Sequence, residues 1–184
     1  MEINADRLFA AFLLSPQTIS WIAEIIGRQR LIFPDWRWID PGTAHLTLIF
    51  FGLAGEPERE EIGKVFNSIS GKYGPMTFSA DEFGGFSAKN NFRVLFLSVR
   101  QISGKSALDF QLAMEEKLSR AGLNIDKRIW HPHITLARAD RRSEEILPKN
   151  DFSPAEFTLR EFGLLSSQPN KAGAVYKLRE KYVL

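Results

Sequence analysis

Only three histidines occur in this chain of 184 residues, and two of them head the same tetrapeptide pattern, His45-Leu46-Thr47-Leu48 and His133-Ile134-Thr135-Leu136. Side chains alternate between the two faces of an extended strand. Each motif therefore sets an imidazole and a hydroxyl side by side while its aliphatic residues point the other way. An imidazole beside a hydroxyl can move a proton while the hydroxyl donates a hydrogen bond to the same ligand. Two such strands facing each other across a cleft would surround a small anion, phosphate above all, with four donors, two of them titrating near about pH 6.5. Paired imidazoles suit one acid and one base role in a single reaction. One histidine in a strand is ordinarily a hydrogen-bonded structural residue. The duplication is what turns this pair toward chemistry.

The third histidine, His131, shares strand parity with His133 and so invites a metal site. Pro132 between them and the lack of a nearby carboxylate pattern argue against one, and neither metal nor cofactor is expected. The chain has no cysteine, which excludes a disulfide scaffold, a thiolate nucleophile and every zinc site built on sulfur. Its 24 basic and 22 acidic side chains leave a net charge of only +2. That balance argues against a broad grip on duplex nucleic acid but permits a local anion site.

Several elements must position the two motifs. The apolar run from Arg7 to Leu14 suits a strand buried on both faces, and Ser15 followed by Pro16 opens a helix carrying Ile19, Ile22 and Ile26. After loops around Pro34 and Pro41-Gly42, the strand from His45 to Phe51 places Leu46, Leu48 and Phe50 on one face and His45 and Thr47 on the other. A second helix shows Ile62, Val65, Phe66 and Ile69 at amphipathic spacing, with Pro57 and three acidic residues near its start. A strand from Arg93 to Val99 follows. Next come a helix with Ala107, Phe110, Met114 and Leu118 closed by Gly122, and a strand from His133 to Ala137.

The halves repeat. Strand, helix and His-x-Thr-Leu occur twice, with Arg7 to His45 spanning 38 positions and Arg93 to His133 spanning 40. The segment from Phe78 to Ser87 aligns without a gap on Phe157 to Ser166, with five identities in ten. Duplication follows. No glycine-rich phosphate loop follows either first strand, which sets aside a doubly wound nucleotide-binding sheet, and Gly84-Gly85 reads as a bulge or turn. The expected fold class is α+β, two similar lobes with pseudo-twofold symmetry. Each lobe is a small, mostly antiparallel sheet backed by helices, and the active site lies in the cleft between the sheets. Residues 1–184 are taken as one bilobal domain. The early run Leu8 to Leu14 lacks a cleavage pattern, and no stretch nears the roughly 18 apolar residues of a membrane helix. A soluble, cytoplasmic monomer without membrane contact is expected.

These residues resemble the LigT-type two-histidine phosphoesterases. The likeness runs through Arg7 to Phe12, Trp38 ahead of the first motif, Phe51-Gly52, Gly85-Phe86 before Arg93-Val94-Leu95, Pro132 to Arg138, and Ser166 with Tyr176, nearly the whole chain. Within that superfamily the chain is most similar to the RNA 2′,3′-cyclic phosphodiesterases, also called 2′-5′ RNA ligases. The resemblance implies a bilobal α+β fold, metal-free catalysis, and opening of a 2′,3′-cyclic phosphate, on RNA ends or small cyclic nucleotides, to a 2′-phosphomonoester. His133 is assigned as base and His45 as acid, with Thr47 and Thr135 holding phosphoryl oxygens.

Arg138 corresponds to an arginine after the family's second motif that could pair with phosphate. Five positions from His133 is odd parity, so a strand end or bulge near Ala137 is required to bring it to the cleft, the alternative being an exposed arginine. Phe50, Phe51, Phe86, Phe92 and Trp130 are candidates to stack on a base, with core packing as their default. Lys149, Arg141 and Arg142 read as a solvated basic loop with RNA contact as the alternative. Competing functions are 2′-5′ ligation, in which a hydroxyl replaces water, and a noncatalytic RNA-end binding module.

Overall fold

Each helix begins where a local group satisfies its first N–H donors. In the computed structural model, which describes residues 6–88, 91–139, 147–170 and 173–184, Ser15 caps α1 (Pro16–Ile32) by accepting from the Thr18 N–H at 3.2 Å. The Glu58 carboxylate reaches back to the Gly55 N–H at 2.8 Å to open α2 (Glu56–Ile69), whose first turn carries Glu56 and Glu58. Ser106 caps α3 (Ala107–Arg120), accepting from the Asp109 N–H at 3.1 Å. That helix ends in a reverse turn. Gly122 takes φ 78°, and the Gly122 and Leu123 N–H groups return to Ser119 and Leu118.

The strands are β1 (Asp6–Leu13), β2 (Arg37–Trp38), β3 (His45–Ala54), β4 (Met76–Ala88), β5 (Asn91–Ser103), β6 (His133–Arg138), β7 (Ala155–Leu159), β8 (Glu161–Asn170) and β9 (Gly173–Val183). They form one sheet in the order β7-β4-β5-β6-β3-β1-β8-β9, with β2 attached to β6, and all the pairings are antiparallel. Among the described residues the fold is thus α+β and mostly antiparallel, with three α-helices, and the two half-sheets are joined. The seam is narrow: β3 and β6 share the single pair Leu46↔Ile134.

Around that seam the duplication is visible as β8-β1-β3 against β6-β5-β4. Gly163 sits opposite Ala11 in one half and Gly84 opposite Phe96 in the other, the correspondence that the repeat at 78–87 and 157–166 specifies. The third strand of each repeat is exchanged. β4, from the first half of the chain, pairs with β5, whereas β8, from the second half, pairs with β1.

One core joins all three helices to the sheet: Leu8, Ala10 and Phe12 of β1 meet Ile22 and Ile26, Ile62 and Phe66, and Phe110 and Met114. The opposite face of β1 carries Phe9 and Ala11, which pack on Leu165 with Leu13 and Tyr176. Gly84 and Gly85 form neither a bulge nor a turn, because both lie in regular register with Phe96 and Leu95. They are glycines for lack of room. A Cβ at Gly84 would stand 2.2 Å from the Phe96 ring, and one at Gly85 would stand 2.4 Å from Phe92.

Candidate active site

Both His-x-Thr strands break their pleat at the same place. Along β3, Thr47 pairs with Ala11 and Ile49 with Ala10, leaving Leu48 as an extra residue; along β6, Thr135 pairs with Phe96 and Ala137 with Leu95, leaving Leu136 extra. A bulge of this kind keeps two successive side chains on one face and reverses the parity beyond it. Leu48 with Ile49, and Leu136 with Ala137, all enter the core. The next residue of each strand therefore turns to the cleft: Phe50 in β3 and Arg138 in β6. The bulge required to bring Arg138 inward is present. It also overturns the placing of Phe50 with Leu46 and Leu48, since Phe50 is 47 % exposed and faces the cavity.

The segments leading into the motifs are clasped reciprocally across the seam. Ile39, just after β2, donates its N–H to the Leu136 carbonyl at 2.9 Å, and Asp126 donates to the Phe50 carbonyl at 3.0 Å. The Trp130 indole N–H adds a bond to the Thr47 carbonyl at 2.8 Å. Both bulges are thereby held by the opposite half's approach segment.

A cavity of about 570 Å³ opens between the halves, lined by His45, Thr47, Phe50, His133, Thr135 and Arg138. Arg7, Phe9, Ile39 and Tyr176 complete much of its wall. The ring nitrogen Nδ1 of His45 lies 2.7 Å from the Thr43 carbonyl, and that of His133 lies 2.6 Å from the His131 carbonyl. A carbonyl only accepts, so each Nδ1 carries the hydrogen, and Nε2 is the nitrogen available to a ligand.

Two rings wall each imidazole. Phe9 and Tyr176 lie 4.9 and 5.1 Å from His45, and Phe86 and Phe96 lie 4.9 and 5.1 Å from His133. Burial among these rings pushes His45 down to about 4 against the favourable pull of the Thr43 carbonyl, with smaller repulsions from His133 and Arg138. His133 is lowered too, by burial first, with opposing help from the His131 carbonyl and repulsion from His131 and Arg138. Both rings are thus neutral at pH 7 in the free protein.

All five candidate residues from the sequence, His45, Thr47, His133, Thr135 and Arg138, meet at this cavity. Among the stacking candidates, Phe51 is buried and packs on Phe66, while Trp130 and Phe92 pack against the core. Phe50 and Phe86 keep exposed faces. Lys149 is exposed, and Arg141 and Arg142 lie outside the described residues. The roles of Phe9 and Arg7 in the wall were hidden by reading β1 as uniformly buried, although their odd parity against Leu8, Ala10 and Phe12 marks them. Among the described residues no group of three or more His, Asp or Glu is placed to hold a metal ion, and no helix is long and apolar enough to cross a membrane.

An antiparallel sheet in two pseudo-symmetric halves, each presenting a bulged His-x-Thr strand to a shared cleft, defines a two-histidine class of protein. The chain belongs to the 2′-5′ RNA ligase superfamily, whose sequence profile matches residues 24–171. It is 28% identical over 175 residues to the RNA 2′,3′-cyclic phosphodiesterase of Thermotoga maritima, covering 94% of this chain and 92% of that protein. The RNA 2′,3′-cyclic phosphodiesterase of Aquifex aeolicus is 28% identical over 188 residues, 97% of each chain. The fold is also that of E. coli LigT complexed with 3′-AMP, with a TM-score of 0.76 at 23% identity over 98% of this chain and 99% of LigT.

Proposed function

We propose that this protein is an RNA 2′,3′-cyclic phosphodiesterase that opens the ring to a 2′-phosphomonoester without a metal ion, as a monomeric, cytoplasmic, single-domain enzyme. The observation that carries the reading is the pair of imidazoles, each fixed through Nδ1 by a carbonyl two residues back and each offering Nε2 to one cavity. Membership of the superfamily and the names of the Thermotoga and Aquifex relatives point the same way.

In the proposed reaction, water attacks phosphorus as His133 Nε2 takes its proton, and the bond from phosphorus to the 3′-oxygen breaks as His45 Nε2 gives that oxygen a proton. Both rings face the one cavity, and His133, the less deeply buried of the two, is taken as the base. His45 gains its proton only when the phosphate anion enters, because an adjacent negative charge favours imidazolium. Its low intrinsic basicity then makes it a ready donor to the leaving oxygen. Thr47 and Thr135 hydroxyls donate to the phosphoryl oxygens, and the Arg138 guanidinium neutralises charge that builds on them. The exposed Phe50 ring offers a face to the base.

The test is incubation of EDTA-treated protein with adenosine 2′,3′-cyclic phosphate and with an RNA oligonucleotide ending in one, followed by identification of the product isomer. The expected product is the 2′-phosphomonoester, with a loss of about 10²-fold or more in His45→Ala and in His133→Ala. A 3′-phosphomonoester, near-normal turnover in either variant, or activity that returns only with added metal overturns the reading.

A further inference from the structure

The antiparallel register of β2 on β6 places Arg37 directly opposite Arg138, and Trp38 opposite Ala137. Residues opposite one another in such a ladder share a face of the sheet with their Cβ atoms about 5 Å apart. Ala137 belongs to the core and Trp38 packs against it, so the other face of β2 and β6, the cleft face, carries Arg37 with Arg138. Ile39 has the same parity. It follows Arg37 by two positions and lines the cavity together with Arg138.

Two like charges placed opposite on one face repel each other, so this arrangement is unfavourable in the empty protein. Both side chains are exposed, and among the described residues neither guanidinium has a carboxylate or hydrogen-bond partner. By contrast, Arg179 is paired with Asp6 and Arg128 with Asp126. The pair also lies at the end of β6 away from His133. β3 and β6 meet only at Leu46↔Ile134, and β2 attaches to β6 toward its far end, so Arg37 extends the cationic face outward from the histidines.

In the proposed reaction the cyclic phosphate at the imidazoles is met by Arg138, and Arg7 lines the same cavity from β1, whereas Arg37 stands beside Arg138 on the adjoining strand β2. We propose that Arg37 binds a second phosphate, the phosphodiester that joins the terminal nucleotide to the rest of an RNA chain, and so selects polymeric RNA ends over free cyclic mononucleotides. The inference rests on the phosphodiesterase reading above and adds to it the substrate class. Arginine suits the task because its planar fork meets two phosphate oxygens at once and never loses its charge.

The experiment compares kcat/KM for three substrates: adenosine 2′,3′-cyclic phosphate, the dinucleotide ApA ending in a 2′,3′-cyclic phosphate, and the same dinucleotide with a neutral methylphosphonate linkage. The natural protein should favour the charged dinucleotide over its methylphosphonate counterpart by roughly tenfold or more, the scale of one charge-assisted contact. Its rate on the charged dinucleotide should also fall more steeply with salt, by a further slope of about 0.7. In Arg37→Gln both differences should collapse, chiefly through KM, and Arg37→Lys should restore part of the preference. Thermal melts of each variant guard against a folding defect. Equal rates on the two dinucleotides in the natural protein, or a preference that survives Arg37→Gln, overturns the second phosphate site while leaving the activity intact. Failure to open any of the three rings overturns the activity itself.

Discussion

The burial of His45 makes the stability of the free protein depend on pH in a direction and by an amount that can be worked out. Its folded value of about 4 lies well below the ordinary 6.5. Between those values the unfolded chain binds a proton that the folded chain refuses, so acid favours unfolding. The contribution is complete above about pH 6.5 and is lost as pH falls toward 4. By pH 4.5 the loss amounts to about 2.5 kcal/mol, a large part of the roughly 5–15 kcal/mol typical of a domain. The lowered His133 acts in the same sense.

Urea melts of the natural protein and of His45→Gln, taken from about pH 7.5 to about pH 4.5 in a buffer free of phosphate, measure this directly. Whatever the offset between the two proteins at the alkaline end, the variant should lose less on acidification by about 2.5 kcal/mol, the His45 share. The Cε1 proton of His45 followed by NMR should titrate near pH 4, and added inorganic phosphate should raise that midpoint. Parallel stability curves for the two proteins, or a His45 midpoint at or above 6.5 in the free state, refutes the burial argument.

Three further outcomes follow from the same geometry. Thr47→Ala or Thr135→Ala should lower kcat about tenfold or more while the Ser variants retain most of it, because in the proposed reaction the hydroxyl and not the methyl meets the phosphoryl oxygen; steady-state kinetics with equal losses for Ser and Ala would show packing instead. Arg138→Ala should reduce kcat/KM for adenosine 2′,3′-cyclic phosphate by about tenfold or more and raise the free-state midpoints of both histidines by NMR, since its charge lowers both. The kcat/KM profile should be a bell with its maximum below about pH 6.5, because both imidazoles are lowered in the free protein, whereas the kcat profile, measured with the anion bound, should lie at higher pH; coincident profiles would count against the argument.

Elements with strong local signals were legible in the sequence: Ser15-Pro16 opens α1, the spacing of Ile62, Phe66 and Ile69 marks the buried face of α2, and Gly122 closes α3. The candidate site was legible because duplication carries information that one motif lacks. Pairing between distant strands was not legible. The exchange of β4 and β8 between the halves leaves β8 on β1, whose residues come from opposite ends of the chain, and local periodicity holds no record of such a contact. The parity of Phe50 failed for a related reason, since a bulge is set by the partner strand as much as by its own residues. Arg138 raised the same question from the other side, because a functional placing and a regular strand were incompatible, and the conflict itself located the bulge.

The two bulges explain how a duplicated scaffold comes to hold a ligand without symmetry of its own. Each repeat delivers histidine, threonine and, past the extra leucine, one more side chain to the cleft, so three positions in each half are related by the pseudo-twofold axis. The first two are identical in both halves. The third is Phe50 on one side and Arg138 on the other. The proposed substrate, a ribose cyclic phosphate, would use this difference, because its base presents a flat face and its phosphate a negative charge. The asymmetry extends to the neighbours. Arg37 stands beside Arg138, whereas Leu53, Tyr176 and, opposite Leu53 on β1, Arg7 join Phe50 in lining the other side. Exchanging only the third residues, Phe50→Arg together with Arg138→Phe, would keep the histidine and threonine pairs yet move that charge to the half lined by Arg7, Phe9, Leu53 and Tyr176. On the proposed reaction, the direction in which a nucleotide would lie across the histidines is set by Phe50 and Arg138, to which that reaction gives no proton transfer, and the symmetry of the histidine pair is broken from outside it.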